Sequence, residues 1–220
     1  MQYADLIAAV KQFKTEKEMA TDPYPMIYQW TQRFRDLRSK TAGATAFLYT
    51  WNSQLYVSGK RTYWQVAKAV QGVLDDVTLQ GALAAVDTSE IDSKFNIVSE
   101  SITKAYQTLS SNQLIQMTGA SKLLHILNPK LFVMWDEEIR DHYHTMHGSQ
   151  HKKGDKQCYF SFLQDMHQEL NNVLGEKSKE PLLDELGAIA GYNKTLAKAL
   201  DEYNFIQKSA WKSSDGKGMH

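Results

Sequence analysis

Apolar side chains recur at steps of three and four along almost the whole chain, and that spacing leaves few architectures open. Leu6, Val10 and Phe13 begin the series. Ile27, Trp30, Phe34 and Leu37 follow, then Tyr63 or Trp64 with Ala67, Val70 and Leu74. Phe95, Val98, Ile102, Ala105 and Leu109 form a further stripe, with Ser93 placed to cap it. Phe160, Leu163, Met166, Leu170 and Val173 make another, closed by Gly175. Leu183, Leu186 and Ile189 end at Gly191, and Asn193 is placed to cap a last helix bearing Leu196, Leu200 and Tyr203. Each stripe is one face of an amphipathic helix.

Turn residues are scarce. Twelve glycines and four prolines in 220 residues are too few for a β-sandwich. The run Ala46 to Trp51 reads as a buried strand or, inside this pattern, a buried helix. The expected fold is all-α: a single helical domain over residues 1–220, or two small helical lobes with a cleft between them. Residues 145–157 read as the longest loop and residues 209–220 as a flexible tail.

The single cysteine, Cys158, rules out an internal disulfide framework. No apolar run approaches the roughly 18 residues that span a bilayer, and no signal peptide is visible at the N-terminus. The expected location is cytoplasmic, in a bacterial-type cytosol or nucleoid, with no membrane partner. Formal net charge is +0, but charge is unevenly distributed. Arg33, Arg35, Arg38, Lys40, Lys60 and Arg61 share their stretch with one acid, Asp36, whereas Asp75, Asp76, Asp87, Glu90, Asp92 and Glu100 share theirs with one base, Lys94. A basic face on a neutral protein suits a nucleic-acid partner, and a solvated helix surface explains such runs as well.

The segment from Leu114 to Arg140 carries the most chemistry. Leu114 to Leu127 reads as a short helix ending near Met117, a tight turn at Gly119, and a second helix starting at Ala120 or Ser121. Exposed amides at such a helix start form a phosphate site. The apolar run Leu131 to Trp135 then delivers Asp136 to the start of the next helix, as an N-cap.

The pattern Leu-x-x-Met-x-Gly-x-x-Lys, an apolar helix, an apolar run and Asp resembles the catalytic hairpin of the helix-hairpin-helix DNA glycosylases, nearest to the lyase-type oxoguanine members. The hairpin and catalytic segment would occupy residues 111–142. Where that family carries two hairpin glycines this chain has Gly119 followed by Ala120 and Ser121, and its lysine and aspartate are closer in sequence. The resemblance implies that Lys122 attacks the sugar C1′ and that Asp136 is the essential carboxylate. It implies that Gly119, Ala120 and Ser121, helped by Lys152 and Lys153, hold the DNA backbone. A flipped base needs an aromatic pocket with polar edge-readers, for which Trp51, Trp135 and Trp64 are candidate walls and Asn52 and Gln54 candidate readers. The implied function is excision of a damaged or modified base by a monomer acting on DNA, in repair or in defence against modified foreign DNA, without a cofactor. A non-catalytic hairpin module binding DNA or protein is the alternative.

Other constellations are weaker. His142, His144, His147 and His151 lack the paired spacing of a zinc site, so no metal is expected. Glu137 and Glu138 fit a charged first helical turn, and Cys158 a small core residue.

Overall fold

The computed structural model describes residues 1–18, 22–33, 37–51, 61–74, 88–90, 95–146 and 158–215. Within them the chain forms α1 (Tyr3–Glu18), α2 (Tyr24–Arg33), α3 (Leu37–Trp51), α4 (Tyr63–Leu74), α5 (Phe95–Ser110), α6 (Gln116–Leu127), α7 (Glu137–Met146), α8 (Cys158–Glu176), α9 (Lys179–Ala190) and α10 (Leu196–Asp215), with a 3-10 turn at Thr88–Glu90. No strand occurs among the described residues, and Ala46 to Trp51 is the end of α3. The all-α expectation therefore holds. Phe34, Ser93 and residues 147–157 lie outside the described residues.

Helix α6 is the centre. Its residues from Gly119 to Ile126 are all buried, as expected of a helix covered on every side. It packs on α5 and on α3; α3 also carries α2 and α4, while α10 packs on α1, α7 and α8. Buried apolar residues from all ten helices join one cluster, from Leu6 to Leu200, so one core spans both halves of the sequence.

Periodicity located the helices better than it located their buried faces. In α2 the buried residues are Tyr24, Ile27 and Thr31, and Trp30 is 51% exposed. Thr31 is tolerated inside because its hydroxyl donates to Ile27 O at 2.8 Å. In α4 Val66 and Val70 are buried, while Trp64 is 78% exposed. Gly191 closes α9 as expected, at φ 79° with its N–H on Gly187 O, and α8 runs one residue past Gly175. Thr195, rather than Asn193, caps α10: its Oγ1 accepts the Lys198 N–H at 3.2 Å. Helix α10 continues to Asp215, so residues 209–215 are helical rather than tail. Trp211 in that stretch stacks on His142 with ring centroids 3.6 Å apart.

Gly119 lies inside a helix rather than in the expected tight turn. Helix α5 ends at Ser110 and the chain turns over residues 111–115. Asn112 organises that turn: its carbonyl accepts the amides of Ile115 (3.0 Å) and Gln116 (2.9 Å), and its Oδ1 accepts the Leu114 amide at 2.9 Å. Gln116 takes up the left-handed strain at φ 60°, and α6 then runs unbroken through Gly119.

Helices α2 and α3 meet at Gly43, where a Cβ would lie 2.7 Å from Thr31 Oγ1. Gly43→Ala should therefore destabilise by about 1–2 kcal/mol despite alanine's better helix propensity. Urea melts should show Thr31→Ala recovering most of that loss in the double variant, because it removes the clashing oxygen.

Candidate functional site

The apolar segment between α6 and α7 is neither helix nor strand and lies fully inside: Leu131, Phe132, Val133, Met134 and Trp135 are each at most 2% exposed. A buried chain without a partner strand needs other groups for its backbone, and here side chains supply them. Thr88 Oγ1 donates at 2.7 Å to Lys130 O and at 2.9 Å to Leu131 O. His125 Nδ1 donates to Phe132 O at 2.5 Å, and Tyr159 Oη to Val133 O at 2.8 Å. Ser121 Oγ accepts the Trp135 amide at 3.3 Å and lies 2.9 Å from Trp135 O.

That arrangement explains two residues. A carbonyl only accepts, so His125 carries its proton on Nδ1, and its Nε2 accepts from Tyr24 Oη at 2.6 Å. Burial pushes the His125 pKa down to about 3, so the ring is neutral and structural. Ser121, expected at the DNA backbone, is likewise occupied inside. Gly119 and Ala120 are buried beside it, so none of these three presents a surface for a phosphate. The physical reason is that α6 starts at Gln116 and runs unbroken through Gly119, Ala120 and Ser121, which places them in its covered part.

At its end the segment delivers Asp136 as expected. Asp136 Oδ1 accepts the Ile139 amide at 3.0 Å and so caps α7. Its other oxygen is ion-paired with Lys208 of α10, which also lies 3.7 Å from Glu138.

Lys122 and Asp136 line one cavity of about 290 Å³. Trp51, at the end of α3, forms a wall together with Phe13 of α1 and Phe205 of α10, and Asp201 and Lys208 of α10 add charge. Trp135 lines the same cavity, but its indole is anchored inward: Nε1 donates to Tyr106 Oη at 3.1 Å, and the ring packs against Tyr159 and Phe162 at centroid distances of 5.0 Å. Trp64 is not among the lining residues. Asn52, Gln54, Lys152 and Lys153 lie outside the described residues.

Lys122 is only 8% exposed, and its ammonium donates to the backbone carbonyl of Trp51 at 2.5 Å. Burial pulls its pKa down to about 8, against the opposing fields of Asp136 and Asp201. About a tenth of the amine is then neutral at pH 7, far more than for a free lysine.

A second charged group, which no motif announces, is buried behind the aromatic wall. Lys198 is fully buried and donates to Asp201 Oδ2 at 2.6 Å, and Lys194 pairs with buried Glu202. Burial presses Lys198 down, but Asp201, Glu202 and Asp22 more than reverse it, so its pKa ends raised. The Lys198 ammonium also sits 4.4 Å from the Trp51 ring, 4.6 Å from Tyr24 and 4.9 Å from Phe13. This cation holds the aromatic wall from behind. Asp201, Glu202 and Lys208 lie in one amphipathic helix far along the chain, where charged residues read as an ordinary solvated face.

Among the described residues no group of three or more His, Cys, Asp or Glu is placed to hold a metal ion, and no helix is long and apolar enough to cross a membrane. Comparison with family models, with curated proteins and with solved structures finds no match for this chain.

The Lys122 amine makes a direct prediction for stability. Its folded pKa lies below the unfolded value, so the folded state holds fewer protons between pH 8 and pH 10.5. Below that window the buried charge costs about 3 kcal/mol. Lys122→Met should be the more stable protein at pH 7 by about 2 kcal/mol, once the lost hydrogen bond is allowed for. That advantage should shrink as pH rises through 8 toward 10.5. Paired denaturant melts across this range check it, and a difference that stays flat contradicts the depressed pKa.

Proposed function

We propose that the protein is a DNA N-glycosylase that removes a damaged or modified base at the cavity lined by Lys122 and Asp136. One observation carries this reading: a buried lysine with a pKa near 8 and an ionisable carboxylate line one cavity, beside an aromatic wall. The cavity volume of about 290 Å³ is near the lower end for organic ligands, roughly 300 Å³, and suits a single flipped nucleoside better than a larger group.

In this reading the neutral Lys122 amine attacks the sugar C1′ as the C1′–N bond to the base breaks. The bonding electron pair leaves with the base, which takes up a proton. Positive charge develops on the sugar, and the Asp136 carboxylate stabilises it. Each Asp136 oxygen keeps a second lone pair beyond its bond to Ile139 or Lys208. Transfer of the ammonium proton to O4′ as the sugar ring opens then gives a protonated imine on Lys122. Solvent takes the C2′ proton, a C2′=C3′ double bond forms, and the 3′ phosphate leaves with the C3′–O electron pair.

The ion pair between Asp136 and Lys208 favours a second reading, a non-catalytic module that binds DNA or protein. There Asp136 serves only as a helix cap and ion-pair partner.

Strand scission separates the two. DNA panels bearing oxidised, deaminated, alkylated and hypermodified bases are incubated with the protein, with and without alkali and with borohydride. Alkali-labile sites that disappear in Asp136→Asn, and a borohydride adduct that disappears in Lys122→Gln, are the expected results. The adduct yield should rise with pH through about 8 as the amine deprotonates. No product from any substrate, with DNA binding intact in both variants, selects the binding module.

A further inference from the structure

Gly119, Ala120 and Ser121 are buried, so a nucleic-acid strand reaching the cavity must be held by other residues. Helices α2, α3 and α4 form a layer, α2 against α3 and α3 against α4. Residues 24–33, 37–51 and 61–74 contain Arg33, Arg38, Lys40, Arg61 and Lys68 and no Asp or Glu. Arg33, Arg38 and Lys68 are exposed. The exposed large hydrophobic residues of the described chain lie in the same layer: Met26 at 66%, Trp30 at 51% and Trp64 at 78%. Trp64 and Lys68 are four residues apart on α4, so an aromatic ring and a cation share one helix face.

The layer is continuous with the cavity. Thr50 and Trp51 line it from the end of α3, and Thr50 is exposed, which places the opening there. On the same turn Tyr49 Oη donates to Arg61 O at 2.6 Å. The Tyr49 ring lies 5.7 Å from Tyr63, and Tyr63 lies 5.5 Å from Trp64. A run of aromatic rings thus leads from beside the cavity opening to the exposed Trp64, with the exposed Lys68 one turn further along α4. Stacking platforms set in a positive surface are what an unpaired polynucleotide requires.

We propose that the α2–α3–α4 layer is a docking surface for single-stranded DNA, with a base stacked on Trp64 and phosphates held by Arg38 and Lys68. The choice of DNA rests on the glycosylase reading; the surface itself does not depend on chemistry at Lys122.

The test is binding of dye-labelled oligothymidylate of about 12 nucleotides, followed by anisotropy across a salt series. Trp64→Ala should weaken binding about tenfold or more, and Trp64→Phe should keep part of it. Arg38→Gln and Lys68→Gln should each flatten the dependence of log K on log salt by about 0.7. Lys11→Gln on α1 should change neither. All four positions are exposed, and circular dichroism checks that each variant folds. Binding by Trp64→Ala within twofold of wild type, an equal loss in Lys11→Gln, or Trp64-dependent binding to phosphatidylserine vesicles with none to the oligonucleotide would overturn the proposal. The two readings fail separately. Trp64-dependent binding shared by wild type and Asp136→Asn, with no product from any base, supports this surface and sinks the glycosylase. Product formation with binding indifferent to Trp64, Arg38 and Lys68 sinks this surface and leaves the glycosylase standing.

Discussion

The site depends on one constraint: a buried stretch of non-helical backbone, Leu131 to Trp135, lies in the middle of a helical protein, with no strand beside it among the described residues. Each buried carbonyl left without a donor would cost on the order of 1–3 kcal/mol. The fold meets the demand with side chains from widely separated elements, Thr88, Ser121, His125 and Tyr159. Those bonds tie α6, α8 and the 3-10 turn to the segment. They also fix the register between Ser121 and Trp135, and with it that of their chain neighbours Lys122 and Asp136. The cavity is a consequence of satisfying this backbone.

Much of this was legible in the sequence, for identifiable reasons. Helices announce themselves because burying one face of a 3.6-residue period demands apolar residues at steps of three and four. Asp136 was legible as a cap because an apolar run that stops at a carboxylate leaves that residue at a helix start. The pairing of Lys122 with Asp136 was implied only by the resemblance to the glycosylase hairpin; in the structure both line one cavity.

The missing parts are those that local pattern does not encode. Trp30 and Trp64 fall on the apolar period yet face outward, because a stripe fixes its face only to within one residue and the core chose Tyr24, Thr31 and Val66 instead. Gly119 reads as a turn because glycine permits positive φ, but a glycine inside a helix is equally compatible with close packing. Asn112 organises the turn over residues 111–115 through both its carbonyl and its Oδ1, and the local pattern does not single it out. Asp201 and Lys208 reach the cavity from α10, with Lys198 buried behind its aromatic wall, and no spacing rule links them to residues 122–136.

The three buried lysines of the described residues show how environment divides one side-chain type. Lys194 and Lys198 hydrogen-bond to carboxylates, Glu202 and Asp201, in a network sealed beneath the aromatic wall. Lys122 faces the cavity, and its ammonium is given to the neutral carbonyl of Trp51 instead. Its carboxylate neighbours act on it through their fields, and burial outweighs them. A lysine required only for stability gains most from a direct carboxylate partner, as Lys198 has. An amine that must give up its proton gains from lacking one, because a neutral acceptor does not hold the charged form as tightly. Burial pushes Lys194 down as well, in spite of Glu202, so what sets Lys122 apart is that it lines a cavity and bonds a carbonyl rather than a carboxylate.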